Sequence, residues 1–179
     1  MKGERVAIFI DGSNLYHCFS DEFGTADIDF YVFAELLCGE GRELLRIYYY
    51  NATVRREDSE KGYRDQQRFF DRLRKVDYLT LRLGRLERRG NTVVEKGVDV
   101  KLAVDMFRLA HNNAYDTAIL VSGDGDFADA IEVIKDLGKH VENAFCKTGS
   151  SYHLRQVCDK FILVDKAMIQ ACVATKGKP

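Results

Sequence analysis

The chain has 179 residues, of which 46% are hydrophobic and 31% are charged. This length and balance are typical of a soluble globular protein with one sizeable core. The one proline is the last residue, and neither a linker-like segment nor an internal repeat divides the chain. We therefore expect a single domain over residues 1–179 and exclude a two-domain or repeat architecture.

The longest apolar runs are about five residues, too short for a membrane span or for the core of a signal peptide. We therefore expect no membrane association. The cysteines, at positions 18, 38, 146, 158 and 172, include no CxxC pair. They predict reduced thiols in a cytoplasmic protein. The four histidines are scattered, without the spacing of zinc ligands.

The charges are unevenly distributed although the formal net charge is only −1. Residues 42–89 carry a local charge of +6 and the rest of the chain carries −7. A basic half beside an acidic half suits a protein that holds a polyanion next to a cation site. Composition alone is equally compatible with charges that only solvate the surface.

Short apolar runs alternate with helical patterns along the chain. We predict strands at 6–10, 44–50, 78–86, 117–122, 140–146 and 161–164, with 92–95 closing a hairpin on 78–86. We predict helices directly after residue 11, at 30–38, 59–76, 98–111 and 127–137, and after the KTGSS loop. This alternation predicts a mostly parallel sheet covered by helices on both faces, with a ligand site at the carboxyl ends of the strands.

Aspartates follow two of the predicted buried strands. Asp11 follows strand 6–10, and Asp124 and Asp126 follow strand 117–122, so parallel strands would bring all three to one edge of the sheet. Asp99 falls in the middle of the apolar face of helix 98–111 on a helical wheel. A carboxylate there is costly unless it is paired or binds a metal. Asp105 lies about 120° from Asp99 and ranks second.

Each aspartate also has a structural interpretation. Asp11, Asp99 and Asp126 each precede a predicted helix and fit an N-cap. Asp126 is better placed than Asp124 to cap helix 127–137, which leaves Asp124 to face a cation. An EF-hand is excluded because Ala128 and Asp129 stand where its acid and its glycine belong. Carboxylates without His or Cys favour Mg²⁺ or Mn²⁺.

Five further polar residues lie near the predicted strand ends. Lys96 is a candidate phosphate contact or a solvated lysine, and Asn14 would hold a water or only the local backbone. The remaining three are Ser122, Ser150 and Ser151. The last two offer hydroxyl groups at another strand end, or cap the helix that follows.

Four motifs together resemble the NYN domain, in its LabA-like branch within the PIN-like nuclease superfamily: FIDGSNLY, KGVDVKLAVDM, LVSGDGDF and SSYHLRQVCDKFILV. The resemblance covers about residues 6–164 and implies a Rossmann-like three-layer α/β/α domain with its core at about 5–165. It also implies a divalent-metal-dependent ribonuclease. The family's acidic set falls on Asp11, Asp99, Asp124 and Asp126, with Asn14 as the polar partner. Ser150 and Ser151 stand in the region where PIN-like sites vary in their later acid.

A basic ridge is predicted on helix 59–76. Arg64, Arg68, Arg72 and Lys75 fall within about 80° of one another on the wheel, opposite an apolar stripe. Such a ridge suits a phosphate backbone, and Arg82 and Arg85 would extend it along the hairpin. The alternative is an ordinary solvated face with pairing between Asp71 and Lys75.

Three functions remain open from the sequence. The first is a Mg²⁺- or Mn²⁺-dependent ribonuclease, expected to act as an endoribonuclease on single-stranded RNA. The second is an RNA-binding or regulatory module with weak or no turnover. The third is a toprim-like metal-dependent phosphotransfer enzyme, which leaves Asp99 without a role. Homodimer formation is left open.

Overall fold

The computed structural model describes the backbone of residues 3–89 and 92–174, and within them the side chains of 3–84 and 97–173. The strands are β1 (Glu4–Asp11), β2 (Arg42–Thr53), β3 (Leu79–Arg89), β4 (Thr92–Lys96), β5 (Thr117–Val121), β6 (His140–Phe145) and β7 (Lys160–Leu163). The helices are α1 (Gly12–Phe23), α2 (Phe30–Cys38), α3 (Glu60–Leu73), α4 (Val98–His111), α5 (Ala128–Asp136), α6 (Tyr152–Val157) and α7 (Lys166–Ala174). A 3₁₀ turn at Gly125–Phe127 leads into α5.

The strands form one sheet in the order β4-β3-β2-β1-β5-β6-β7. Six of these strands are parallel to their neighbours, and β4 pairs with β3 in the antiparallel direction. The predicted three-layer α/β/α fold with a mostly parallel sheet is confirmed, as is the antiparallel pairing of β3 with β4. In the described part of the chain, no helix is long and apolar enough to cross a membrane.

The side chains of β1 alternate between two cores, one on each face of the sheet. Ile8 and Ile10 pack in the core beneath α1, α2, α3 and α7. Phe9 packs in the core beneath α4, α5 and α6. The next residue of the Phe9 set is Asp11, so the alternation directs its carboxylate toward the layer that contains α4.

Because β1 lies in the middle of the sheet, a crevice suited to a ligand site forms at its carboxyl end. From β1 the chain builds β2 and β3 on one side, and it then crosses to β5, β6 and β7 on the other side. The connections that leave β1 and β5 therefore diverge, which opens a crevice at the carboxyl ends of these strands. Asp11 ends β1 and Val121 ends β5.

Helix α7 is an element that the sequence analysis does not predict. It follows β7 and packs on α2, with Ile169 and Cys172 buried in the core. Its sequence KAMIQACVA has apolar residues on several sides. Its helical state therefore depends on a neighbouring surface more than on a clear periodic pattern.

Candidate active site

Asp11 is held at the crevice by two neighbours and is only 5% exposed. Ile10 pairs with Val121 across β1 and β5, so the next residues, Asp11 and Ser122, lie side by side. The Ser122 hydroxyl donates to Asp11 Oδ2 over 3.2 Å, and the Asn14 backbone N–H donates to Asp11 Oδ1 over 3.1 Å. Asp11 is thus the N-cap of α1, and it also lies at the carboxyl edge of the sheet, where the sequence predicts the ligand site.

Ser122 also fixes the loop that carries the paired aspartates. Its Oγ accepts the backbone N–H of Asp124 over 3.1 Å, and the Asn14 side chain accepts that of Gly123 over 2.8 Å. The buried Asn143 of β6 donates its side-chain amide to the carbonyl oxygens of Leu120 and Ser122. The sequence analysis missed Asn143, whose signal is an amide within an otherwise apolar strand.

Asp124 takes the capping role that the sequence assigns to Asp126. The 3₁₀ turn begins at Gly125, so Asp124 is its N-cap and its Oδ1 accepts the Asp126 N–H over 3.0 Å. The expectation that Asp126 caps the helix is therefore wrong, because the turn starts before α5. Asp126 is exposed and Asp124 is half-buried.

Asp99 is exposed, and its predicted position on the buried stripe of α4 is wrong. The buried positions of this helix are Val98, Leu102, Asp105, Met106 and Ala110. The buried stripe begins at Val98, one residue before Asp99, so Asp99 points away from the surface that α4 packs against the sheet. Gly97 occupies the N-cap position, so the capping interpretation of Asp99 is also incorrect.

Asp105 is the acid that α4 buries, at 9% exposure. It accepts the Tyr50 hydroxyl over 3.0 Å and the Arg108 guanidinium over 2.9 Å. Arg82 Nε lies 3.5 Å from Asp105 Oδ2, the oxygen that accepts the Tyr50 hydroxyl. These partners compensate the buried charge, so Asp105 is a structural residue of this face.

Asp99 still lies close enough to the paired aspartates to interact with them. Although the residue is exposed to solvent, neighbouring atoms surround part of its carboxyl group, and this partial burial and the negative charges of Asp124 and Asp126 raise the pKa of Asp99. We call Asp11, Asp99, Asp124 and Asp126 the acidic edge. No three of them bring oxygen atoms within 4.8 Å of one another among the described residues. Such an open set of oxygen donors fits a hydrated ion such as Mg²⁺, which keeps several waters and takes one or two carboxylates.

The loop after β6 packs tightly on the loop after β5. A Cβ atom on Gly123 would lie 2.1 Å from the Gly149 carbonyl oxygen and 2.6 Å from the Phe145 ring. Ser151 is the N-cap of α6, and the Ser150 hydroxyl accepts Arg155 Nη2 over 2.6 Å. Ser151 thus caps the helix as its capping interpretation proposed, whereas Ser150 bonds the Arg155 side chain instead. The side chain of Lys96 lies outside the described residues.

The basic ridge on α3 is exposed but carries acidic partners. Arg64 pairs with Glu60 at 3.3 Å, Arg68 with Asp65 at 3.8 Å, and Arg72 with Asp27 at 3.4 Å. Lys75 is exposed as well. The expected partner of Lys75, Asp71, instead pairs with Arg74 at 2.8 Å.

Arg82 does not extend this ridge. Its neighbours Leu81 and Leu83 pack in the core beneath α3, so the alternation of β3 directs Arg82 to the opposite face, where it pairs with Asp105. That part of the prediction is wrong because strand alternation separates the two basic groups. The side chain of Arg85 lies outside the described residues.

A cleft of about 610 Å³ lies between α1 and α3, beside the carboxyl end of β2. Ser13, two residues from Asp11, lines it together with Tyr16, Phe69 and Arg72. Gln66 forms part of its wall and ties α3 to β2, because its side-chain amide bonds the carbonyl of Ala52 and the N–H of Val54, each over 2.8 Å. Sequence reasoning missed Tyr16 and Gln66, which carry no motif.

The fold and its acidic edge match a known family, the NYN domain, over residues 5–165. The chain belongs to this family of PIN-like nucleases, and membership supports a nuclease or RNA-related function in general terms. It is 28% identical over 168 residues to the low amplitude and bright protein LabA of Synechococcus elongatus, covering 88% of this chain and 82% of that protein. A crystal structure of a protein of unknown function from Vibrio parahaemolyticus superposes with a TM-score of 0.72 at 25% identity, covering 91% and 94% of the two chains.

We expect Gly123→Ala to destabilise the protein, since its Cβ would overlap the Gly149 carbonyl oxygen at 2.1 Å. The free energy of unfolding should fall by about 2 kcal/mol, measured by urea denaturation. Gly3→Ala is the control, because its nearest heavy atom would be 3.3 Å away. Equal denaturation midpoints for the two variants would contradict the close approach of the two loops.

We expect Asp99→Asn to raise thermal stability in EDTA at neutral pH. Partial burial and the charges of Asp124 and Asp126 raise its pKa, so the folded protein binds this proton more tightly than the unfolded chain does. The stability that the proton contributes is present at low pH and is lost as the pH rises through the folded-state pKa. Removing the charge should raise the melting temperature by about 1–2 °C, because solvent screens an exposed group.

Asp129→Asn is the matched control for this measurement. Asp99 and Asp129 each lie in the first turn of a helix, so both variants lose the same favourable interaction with the helix dipole. The difference between their melting temperatures isolates the repulsion within the acidic edge. A lower melting temperature for Asp99→Asn than for Asp129→Asn would argue against that repulsion.

Proposed function

We propose that this protein is a Mg²⁺- or Mn²⁺-dependent endoribonuclease that hydrolyses single-stranded RNA at the acidic edge. The observation that carries the proposal is the position of Asp11 and Asp124 at the ends of the neighbouring strands β1 and β5, where the Ser122 hydroxyl bonds Asp11 Oδ2 and the Asp124 N–H. The raised pKa of Asp99, caused by partial burial and by the charges of Asp124 and Asp126, agrees with it. Carboxylates that repel one another at the crevice of an α/β sheet favour a cation between them. Family membership supports a nuclease or RNA-related function independently.

Asp11, Asp99, Asp124 and Asp126 would hold the ion. The hydrogen bonds of the Ser122 hydroxyl, to Asp11 Oδ2 and from the Asp124 N–H, keep two of these residues in place before a ligand arrives. Such preorganisation lowers the cost of arranging charges during the reaction. A bound divalent ion would activate a water for attack on phosphorus and neutralise charge on the phosphate.

The substrate path we propose runs from the acidic edge along the cleft to the basic ridge. Tyr16 and Phe69 offer aromatic surfaces for unpaired bases. Ser13 also lines the cleft and is only two residues from Asp11 in the chain, so the cleft begins close to the acidic edge. The ridge arginines are 61–77% exposed and pair with exposed acids. Exposed pairs of this kind are weak, so RNA phosphates can replace the acids at little cost.

Purified protein should cleave single-stranded RNA with Mg²⁺ or Mn²⁺ and lose that cleavage in EDTA. Asp11→Asn and Asp124→Asn should each reduce the rate at least about a hundredfold, since each removes charge that holds the ion. The measurement is an initial rate on fluorescently labelled RNA. Asp136→Asn, at the far end of α5, is the control and should retain the rate.

Other outcomes separate the alternatives. Equal cleavage by wild type, Asp11→Asn and Asp124→Asn would reveal a contaminating nuclease and refute the proposal. RNA binding without cleavage in any divalent metal would favour a binding module instead. Cleavage of DNA that is indifferent to Asp99→Asn would favour the toprim-like alternative.

RNA binding should depend on salt and on the basic ridge. The double variant Arg68→Ala with Arg72→Ala should weaken binding and reduce the slope of log affinity against log salt by about 1.4, at about 0.7 for each lost phosphate contact. Fluorescence anisotropy at several salt concentrations, in Ca²⁺ to suppress turnover, measures both effects.

A matched double variant, Lys139→Ala with Lys160→Ala, removes the same charge from the opposite edge. These lysines lie beside the amino ends of β6 and β7, away from the cleft. The two variants should differ clearly in affinity and in salt slope. An equal loss in both would show that only net charge matters and would refute the proposed path.

A further inference from the structure

A second group of metal-ligating side chains lies apart from the acidic edge. Cys18 and Glu22 are one turn apart on α1, and Cys146 follows β6 directly. One ligand atom from each residue lies within 4.8 Å of the other two. Among the described residues, this is the one group of three or more histidine, cysteine or acidic residues that meets this distance.

The loop after β6 surrounds this group. The Cys18 thiol donates to the Thr148 carbonyl oxygen over 3.2 Å. The Thr148 backbone N–H donates to Glu22 Oε2 over 3.2 Å, and the Thr148 hydroxyl donates to the same oxygen. Cys146 is buried, Cys18 is half-buried and Glu22 is exposed, so an ion could enter from the side of Glu22.

We propose that Cys18, Glu22 and Cys146 form a binding site for a thiophilic divalent cation of the Zn²⁺ type. Two thiolates and a carboxylate are a donor set that Zn²⁺ prefers over Mg²⁺. Binding forms two metal–sulfur bonds and one metal–oxygen bond, and it releases the two thiol protons to solvent. No oxidant or reductant is required.

The three ligand atoms need to move only slightly toward one another to coordinate one ion. Zinc–sulfur bonds of about 2.3 Å in a tetrahedral site place two sulfur atoms about 3.8 Å apart. The ligand atoms already lie within 4.8 Å of one another, and Cys18 and Glu22 are on a helical surface where side chains can change rotamer. A water would complete the four ligands of a tetrahedral ion.

Glu22 favours a metal site over a disulfide between the two cysteines. A disulfide needs only the two sulfur atoms and gives the carboxylate of Glu22 no role. The same carboxylate is a useful third ligand for a cation.

The ion would fix the loop after β6 to α1. That loop also packs on the segment that carries Asp124 and Asp126, because the Gly149 carbonyl oxygen and the Ser151 hydroxyl approach Gly123 and Gly125. The site thus acts as a structural clamp beside the proposed nuclease centre. It uses soft sulfur ligands whereas the acidic edge uses only oxygen, so the two sites select different ions.

Titration of the full-length, reduced protein with Co²⁺ tests the proposal, because sulfur-to-cobalt charge transfer gives a near-ultraviolet band that oxygen ligands do not produce. We expect this band to saturate at one Co²⁺ per chain and to disappear when Zn²⁺ is added. Cys18→Ser and Cys146→Ser should each abolish it, and Glu22→Gln should weaken Co²⁺ binding by about tenfold.

Matched controls accompany these variants. Cys158→Ser removes a thiol elsewhere in the fold, and Asp21→Asn removes the acid adjacent to Glu22, so both should keep the band at full strength. Asp124→Asn should also keep it, which separates this site from the proposed nuclease centre. Thermal melts report folding, and Cys18→Ser, at a half-buried position, decides the result if the buried Cys146→Ser does not fold.

Three results would overturn the proposal. One is the absence of the charge-transfer band in the reduced wild-type protein. Another is a band that survives in folded Cys18→Ser or that is lost equally in Cys158→Ser. The third is a Cys18–Cys146 disulfide, found by peptide mapping of the oxidised protein, together with no Co²⁺ binding after reduction.

Discussion

The Ser122 hydroxyl connects the carboxyl ends of β1 and β5, the two parallel strands at which the order of strands in the sheet reverses. It donates to Asp11 at the end of β1 and accepts the backbone N–H of Asp124 after β5. Because β1 and β5 are neighbours at the point where the sheet order reverses, this one group connects the Asp11 carboxylate to the backbone of Asp124, 113 residues away in the chain. The arrangement of the acidic edge depends on that bond and on the strand register beneath it.

The acids of this protein follow two opposite electrostatic patterns. Arg5 donates to Asp116 from its backbone and its guanidinium and lowers the pKa of that carboxyl to about 2. Asp105 is likewise compensated, by the Arg108 guanidinium. Asp99 differs, since partial burial and neighbouring negative charges raise its pKa. An acid beside other acids costs stability unless a cation is bound, so Asp99 fits the proposed metal site better than Asp105 or Asp116 does.

Close packing joins the loops after β5 and β6 into one unit. The approach of the Gly149 carbonyl to Gly123 leaves no room for a side chain, and Thr148 connects the same loop to Cys18 and Glu22 on α1. Any change in how the second loop is held would therefore reach Gly123 and Gly125, the chain neighbours of Asp124. This mechanical connection links the proposed clamp to the proposed nuclease centre without requiring the two sites to share an ion.

The sequence by itself determined the order of the strands and of helices α1 to α6, the parallel sheet and the placement of Asp11 and Asp124 at one edge, because local apolar periodicity and strand polarity decide these features. Tertiary structure decided which acid of α4 is buried, since a shift of the contact stripe by one residue exposes Asp99 and buries Asp105. It also decided the pairing of Arg82 with Asp105 and the meeting of Cys18 with Cys146. Such contacts join residues far apart in the chain, and no local pattern encodes the distance between two packed elements.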